Sequence, residues 1–195
     1  DFLPQEYCDA LTRLRTQVEP MPFEQVETIL EDAYGRPLSD VFSSFDRQAL
    51  GSASIAQVHA ASLPTGEKVV VKVQRQGIHD VMNRDIILLK RAAELVKYTP
   101  HKGLVDFNRV LDEMWIVAQQ EMNFLTEASN LETFTRLNAD VAFVSAPKLY
   151  PMYTTASVLV MENVEGIPIN EKDALRAAGY DLNEIGSKLA DNYVK

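Results

Sequence analysis

The sequence predicts an α+β fold in which a small antiparallel sheet is flanked by helices. Two runs rich in β-branched residues, 55–63 and 68–75, flank Pro64-Thr65-Gly66-Glu67, which is typical of a hairpin. Long stretches elsewhere repeat apolar residues at the 3.6-residue period of an amphipathic helix. The chain has 195 residues and 46% hydrophobic content, enough for one large domain or two small ones with a buried core.

Residues 3–34 predict two helices separated by Pro20-Met21-Pro22. Pro4 falls in the first turn of the first helix, and Gly35 ends the second. Residues 37–42 predict a short helical turn. These elements could pack on the core or receive a partner, and their one-faced apolar patterns favour core packing.

The rest of the chain alternates predicted strands and helices. Residues 44–50 add a strand to the hairpin, which makes a three-stranded meander. The later elements are a helix over 78–98, a long helix over 107–138, strands at 144–150 and 157–163, a loop or short helix over 170–179, and a last helix from Leu182.

Two carboxylates, Glu121 and Glu127, fall within the long predicted helix. If that helix is continuous, a spacing of six residues places them about 120° apart on its circumference. They would then serve two different points, or none.

A run of very small residues, Gly51-Ser52-Ala53-Ser54, precedes the strand at 55–63. Small residues let the backbone approach a ligand closely, and free amides there can face phosphate. In the following strand Lys72 interrupts a run of valines, and a lysine beneath such a loop would add a positive charge. Taken singly, however, such a run is usually a turn and such a lysine is usually a solvated edge residue.

Composition and charge argue against several classes of protein and of site. The net charge of −9, with no lysine or arginine cluster, argues against binding to bulk nucleic acid. The single cysteine, Cys8, excludes an internal disulfide and fits a reducing compartment. No apolar run approaches the length of a membrane span. His59, His79 and His101 lack metal-ligand spacing, so we expect structural roles for them.

The order of these features resembles that of a protein-kinase N-terminal lobe. The kinase pattern G-x-G-x-x-G-x-V falls on Gly51, Ala53, Ala56 and Val58, so alanine replaces two of the three glycines. The pattern V-A-I-K falls on Val69-Val70-Val71-Lys72.

Further segments narrow the resemblance. Residues 160–164 resemble the kinase hinge, with Met161 as gatekeeper. The alanine-substituted loop with 54–59, together with 21–23 and 121–128, closely resembles the UbiB (AarF-related) family of atypical kinases, which is linked to ubiquinone biosynthesis.

This resemblance implies a domain organisation. Residues 44–164 would form a kinase-like N-lobe with one five-stranded antiparallel sheet, an inserted helix at 78–98 and the long helix at 107–138. Residues 1–43 would be a helical extension, and 165–195 the exit from the hinge and the start of a truncated C-lobe. The catalytic loop and the metal-binding D-F-G would lie downstream, so we expect an excised fragment that is inactive by itself.

The resemblance also implies roles for individual residues. Lys72 would pair with Glu127 and hold the α- and β-phosphates of Mg-ATP. Glu121 would begin the family's E-x-D motif, in which Asn123 replaces the aspartate and brings no charge. No metal ligand is expected in this chain. The expected nucleotide-contacting residues are Gly51, Ser52, Ala53, Ser54, Val58, Val70, Lys72, Met161, Glu162 and Val164.

The alanines of the small-residue loop also bear on which phosphoryl reaction we expect. Alanine at positive φ costs roughly 1 kcal/mol or more, so a loop with Ala53 and Ala56 would be stiffer and more crowded than a glycine loop. With the resemblance, this favours ATPase or small-molecule phosphoryl chemistry over protein phosphorylation.

Two functions stay open from the sequence. The first is the nucleotide-binding lobe of an atypical kinase or ATPase that supports isoprenoid-quinone or lipid metabolism. The second is a non-catalytic kinase-like scaffold or lipid-binding module that nucleotide regulates. The expected partners are nucleotide, a lipid or quinone-pathway protein, and a second copy of the truncated chain, but not nucleic acid. The expected location is cytoplasmic, with the full-length protein peripheral to the inner membrane face.

Overall fold

A computed structural model describes Tyr7, residues 18–96 and residues 107–193. Within these residues, one antiparallel sheet contains four strands in chain order. The strands are β1 Ser44–Ser52, β2 Ala56–Ser62, β3 Lys68–Gln74 and β4 Val158–Glu162. The predicted α+β class and the three-stranded meander are therefore confirmed.

Helices precede, interrupt and follow the sheet. They are α1 Phe23–Tyr34, α2 Leu38–Val41, α3 Ile78–Val96, α4 Phe107–Glu121, α5 Phe124–Leu137, α6 Lys172–Ala177 and α7 Leu182–Tyr193. α1 ends where predicted, because Gly35 adopts a φ of 65° and its amide donates to the Glu31 carbonyl. The first predicted helix, before Pro20, and the predicted loop at 101–103 lie largely or wholly outside the described residues.

One face of the sheet packs on the N-terminal helices. Alternate residues of β3, namely Val69, Val71 and Val73, are fully buried and belong to one cluster with Val26 and Leu30 of α1. Fully burying a side chain of this size contributes about 1.5–3 kcal/mol. The residues between those valines therefore point to the opposite face, and one of them is Lys72.

The predicted long helix over 107–138 is wrong, because the chain breaks between α4 and α5. Asn123 adopts an extended conformation (φ −113°, ψ 102°), and its side-chain oxygen accepts a hydrogen bond from the Leu125 amide, which caps α5. Met122 beside it is buried. The apolar pattern runs across this point without proline or glycine, so periodicity alone did not indicate the break.

The predicted strand at 144–150 is reduced to one bridge, between Leu149 and Met161. The Tyr150 amide donates to the Val160 carbonyl, so the segment still lies along β4. Pro147 has no amide to continue the ladder, and Pro151 begins a 3-10 turn, Pro151–Tyr153. The sheet in the described part of the chain therefore has four strands rather than the predicted five.

Candidate functional site

Lys72 lies in β3 and forms an ion pair with Glu127 of α5. Its Nζ donates to Glu127 Oε2 at 2.7 Å and to Oε1 at 3.0 Å, so both carboxylate oxygens are engaged. The two side chains are 24% and 41% exposed, respectively. The ammonium group also lies 4.8 Å from the centroid of the Phe124 ring, within the range of a cation–π contact. The cation is thus held on the face of the sheet opposite the N-terminal helices.

The break before α5 positions Glu127. The Phe124 amide donates to the Ala156 carbonyl at 3.0 Å, which ties the start of α5 to the segment that leads into β4. Phe124 and Ala128 are buried in a cluster with Leu159 and Ala56. Glu127 lies between the buried residues Phe124 and Ala128 in sequence, about one turn after Phe124. Its side chain reaches Lys72.

Two cross-strand rows of side chains define the face that carries Lys72. Val58, Lys72 and Leu159 lie opposite one another on β2, β3 and β4. The adjacent row on the same face contains Ala60, Val70 and Met161, which are half-buried and apolar. The structure therefore brings the predicted residues Val58, Val70 and Met161 to the same face as Lys72. Ala60 was missed, although the two-residue alternation from Val58 indicates it.

At the end of β4, some of the predicted hinge residues form hydrogen bonds with neighbouring segments and others are exposed. The Glu162 amide donates to the Lys148 carbonyl at 2.8 Å, and its carboxylate accepts from the Lys148 amide at 3.1 Å. The Asn163 amide donates to the Lys68 carbonyl at 3.1 Å, and Val164 is exposed. The predicted hinge residues thus leave the sheet directly after the Ala60–Met161 row.

The small-residue loop lies between β1 and β2. Gly51 and Ser52 end β1, and the Ala53 amide donates to the Ala56 carbonyl at 2.8 Å, which closes the turn. Among the described residues only glycines have positive φ, and Gly51 is not one of them. The alanines of the loop therefore avoid the positive-φ conformation that we expected to cost free energy. The loop is tightened by hydrogen bonds rather than strained.

Glu121 and Glu127 lie on either side of the break, Glu121 at the end of α4 and Glu127 in the first turn of α5. Both line a small cavity of about 120 Å³, together with Gln120, Thr126 and Asn130. The expected separation of about 120° assumed one continuous helix, and the break between α4 and α5 removes that assumption. Asn123 of the predicted E-x-D position acts instead as the helix cap described above.

His59 has the structural role that we expected. It is buried, its Nδ1 lies 2.8 Å from the Asp46 carbonyl, and its Nε2 lies 2.9 Å from Gln57 Nε2. Because an amide nitrogen can only donate, His59 Nε2 is the acceptor and Nδ1 carries the proton. In the described part of the chain, no group of three or more His, Cys, Asp or Glu side chains could hold a metal ion.

A wider cavity, of about 480 Å³, is lined by Phe143 and by α7 residues that include Ile185 and Leu189. None of the residues predicted for the site lines it. The ion pair and the loop, rather than cavity size, therefore define the candidate site. None of the described helices is both long and apolar enough to cross a membrane.

Comparison with known proteins identifies the family. Residues 13–195 match the ABC1 atypical kinase-like domain. The whole chain is 37% identical to "Protein ACTIVITY OF BC1 COMPLEX KINASE 8, chloroplastic" of Arabidopsis thaliana, of which it covers 26%. It is 36% identical, over 96% of its length, to "Probable protein kinase UbiB" of Marinobacter nauticus, of which it covers 35%.

A solved structure has the same fold. It is described as the complex of Rv3197 with erythromycin, from Mycobacterium tuberculosis, and it matches with a TM-score of 0.68 and 29% sequence identity. The match covers 87% of this chain and 42% of the solved one. The chain therefore spans about a quarter to two-fifths of the length of these relatives. By its sequence and its fold, the chain belongs to the ABC1 atypical kinase-like family.

Proposed function

We propose that this chain is the nucleotide-binding lobe of a UbiB-type atypical kinase or ATPase and that the full-length protein binds Mg-ATP. One observation carries the proposal: the Lys72–Glu127 ion pair, with both oxygens engaged, on the sheet face beside the small-residue loop. A lysine held by a carboxylate on a neighbouring helix is the arrangement with which kinases position the nucleotide phosphates.

In this proposal each part of the site has a role. Lys72 supplies charge-assisted hydrogen bonds to the phosphates, and Glu127 fixes the direction of its side chain. The apolar row of Ala60, Val70 and Met161 supports the adenine ring, next to the backbone of 162–164. The loop at 51–54 covers the phosphates. The carboxylate-lined cavity at Glu121 and Glu127 supplies no third acidic ligand, so we assign Mg²⁺ no ligand set among the described residues.

The test is nucleotide binding by the full-length protein, measured by calorimetry with and without Mg²⁺. Lys72→Ala removes a charge-assisted contact worth about 1.5–3 kcal/mol, so the Kd for ATP should rise about tenfold to more than a hundredfold. Lys68→Ala is the matched control, because Lys68 is in the same strand but is 74% exposed. ATP affinity unchanged by Lys72→Ala, or lowered equally by both substitutions, would refute the assignment.

The wider role is proposed on the basis of the family alone. The resemblance to UbiB proteins supports a function in isoprenoid-quinone or lipid metabolism, in the cytoplasm and peripheral to the inner membrane face. We propose ATPase or small-molecule phosphoryl chemistry, now on the basis of the family and not of loop strain, because the loop alanines are unstrained. Deletion of the gene should lower isoprenoid-quinone content, and unchanged quinone and lipid profiles would contradict this role.

A second candidate function is a scaffold that binds lipid or protein and that nucleotide regulates. The observation that favours it is the apolar surface of α3 and α4, which pack side by side through contacts such as Lys90–Asp112. The large apolar residues exposed on these helices are Val81, Ile87, Leu88, Leu89, Phe107, Val110, Met114, Ile116 and Val117. The same surface could allow the isolated chain to self-associate. ATP turnover by the purified full-length protein would favour the enzyme, whereas binding without turnover would favour the scaffold.

A further inference from the structure

Arg75, the first residue after β3, joins three segments through one guanidinium group. Its Nε donates to the Ala53 carbonyl at 2.9 Å, and its Nη2 donates to Ser52 Oγ and to the Glu19 carbonyl, both at 2.7 Å. We propose that Arg75 is a positioning residue that fixes the loop over the nucleotide phosphates and couples it to the segment that precedes α1. This inference rests on the nucleotide-binding function proposed above.

Arg75 contacts the beginning of the loop with its side chain and the end of the loop with its backbone. While its side chain holds Ser52 and Ala53, its backbone amide donates to the Ile55 carbonyl at 2.9 Å. The loop residues themselves are exposed or half-buried, so hydrogen bonds and not core packing must define their conformation. A single residue therefore restrains the loop at its beginning and at its end.

The position of Arg75 links the loop to the cation of the site. Arg75 follows Lys72 by three residues and comes directly after β3, so the strand that carries the proposed phosphate-binding lysine leads straight into the residue that holds the loop. Lysine could not replace Arg75, because its single ammonium group cannot match the planar fork that reaches acceptors on separate segments.

The segment that precedes α1 is itself fixed beside the loop. The Met21 amide donates to Gln57 Oε1 at 2.6 Å, and Gln57 Nε2 donates to the Met21 carbonyl at 3.4 Å. Gln57 is buried in β2, directly after Ala56. The Glu19 carbonyl is therefore a fixed acceptor for Arg75, and any displacement of this segment would reach the loop through the guanidinium group.

The first test measures the loop without nucleotide, by hydrogen exchange in the full-length protein. Arg75→Gln and Arg75→Lys should both raise exchange by about tenfold at the Ala53 amide, which donates to the Ala56 carbonyl, as expected for loss of hydrogen bonds to a charged group. Arg84→Gln is the matched control, because the Arg84 side chain donates to the Asp80 carbonyl of its own helix and, among the described residues, reaches no part of the loop. Exchange at wild-type rates in both Arg75 variants would overturn the inference.

The second test separates positioning of phosphates from general damage to the fold. In both Arg75 variants the Kd for ATP should rise about tenfold while the Kd for adenosine, which has no phosphate, stays within about twofold. Equal weakening of both ligands, or an unchanged Kd for ATP, would overturn the inference. If the wild-type protein binds neither ligand, the proposed function fails, and the exchange measurement alone decides whether Arg75 holds the loop.

Discussion

The Lys72–Glu127 ion pair should make a measurable contribution to the stability of the lobe. Its magnitude follows from its exposure. Fully exposed pairs contribute about 0.2–1 kcal/mol, whereas breaking a buried pair costs about 3–5 kcal/mol. With side chains 24% and 41% exposed and both carboxylate oxygens engaged, this pair is intermediate. We expect a coupling free energy of about 1–2 kcal/mol between the two side chains.

A double-mutant cycle measures that coupling. The variants Lys72→Met, Glu127→Gln and their combination are unfolded with urea, and the free energies of unfolding are compared. The pair Lys68–Glu165, at 3.6 Å and with side chains 74% and 84% exposed, provides a control cycle whose coupling should be indistinguishable from zero. A coupling free energy below about 0.3 kcal/mol would show that Lys72 and Glu127 are energetically independent, which would refute the stabilising ion pair.

Three further predictions concern the helix cap, the buried histidine and the glycines. Asn123→Ala should lower the free energy of unfolding by about 1 kcal/mol, whereas Asn123→Asp should keep the cap; equal losses would show that the cap does not hold α5. Burial lowers the pKa of His59 below its ordinary value of 6.5. The contribution of neutral His59 to the free energy of unfolding is therefore complete above pH 6.5 and is lost as the pH falls below that value. Urea titrations of wild type and His59→Gln should show that this acid loss is smaller in the variant. Gly51→Ala should change the free energy of unfolding by less than about 0.5 kcal/mol, because a Cβ there meets nothing within 4 Å, whereas Gly35→Ala, at φ 65°, should cost about 1 kcal/mol.

The strands and the meander could be predicted because their signals are local. In β3 the run of β-branched valines around Lys72 predicts a strand from neighbouring residues alone, and the structure places that strand at Lys68–Gln74. The turn at Pro64-Thr65-Gly66-Glu67 is equally local, and Gly66 has the positive φ that such a turn requires. These features need no knowledge of what the sheet packs against.

The break between α4 and α5 could not be predicted from periodicity. Asn123 interrupts the helix by capping the next one, and the buried neighbours that stabilise this choice, such as Leu159, are distant in sequence. Tertiary packing therefore decided between one helix and two. The predicted strand at 144–150 is shortened for a local reason, because Pro147 lies within it and Pro151 follows it directly.

Within the site, residues that match a motif could be assigned and residues that support it could not. The resemblance indicated Lys72 and Glu127 as partners, and the structure places them in contact. Arg75 carries no comparable signal, because an arginine after a strand is ordinary and its acceptors at Glu19 and Ala53 are recognised only in three dimensions. The nucleotide contacts of the loop and the hinge stay predictions until binding is measured.

Because α5 has its own cap at Asn123 and its own anchor at the Ala156 carbonyl, its start does not depend on a continuous helix from α4. The carboxylate that pairs with Lys72 is carried by α5, whereas the exposed apolar residues of α3 and α4 lie before the break. We therefore expect substitutions on the exposed face of α3 and α4 to leave the Lys72–Glu127 ion pair in place. The surface of that helix pair is free to vary in evolution while the contact between the lysine and the glutamate stays constant.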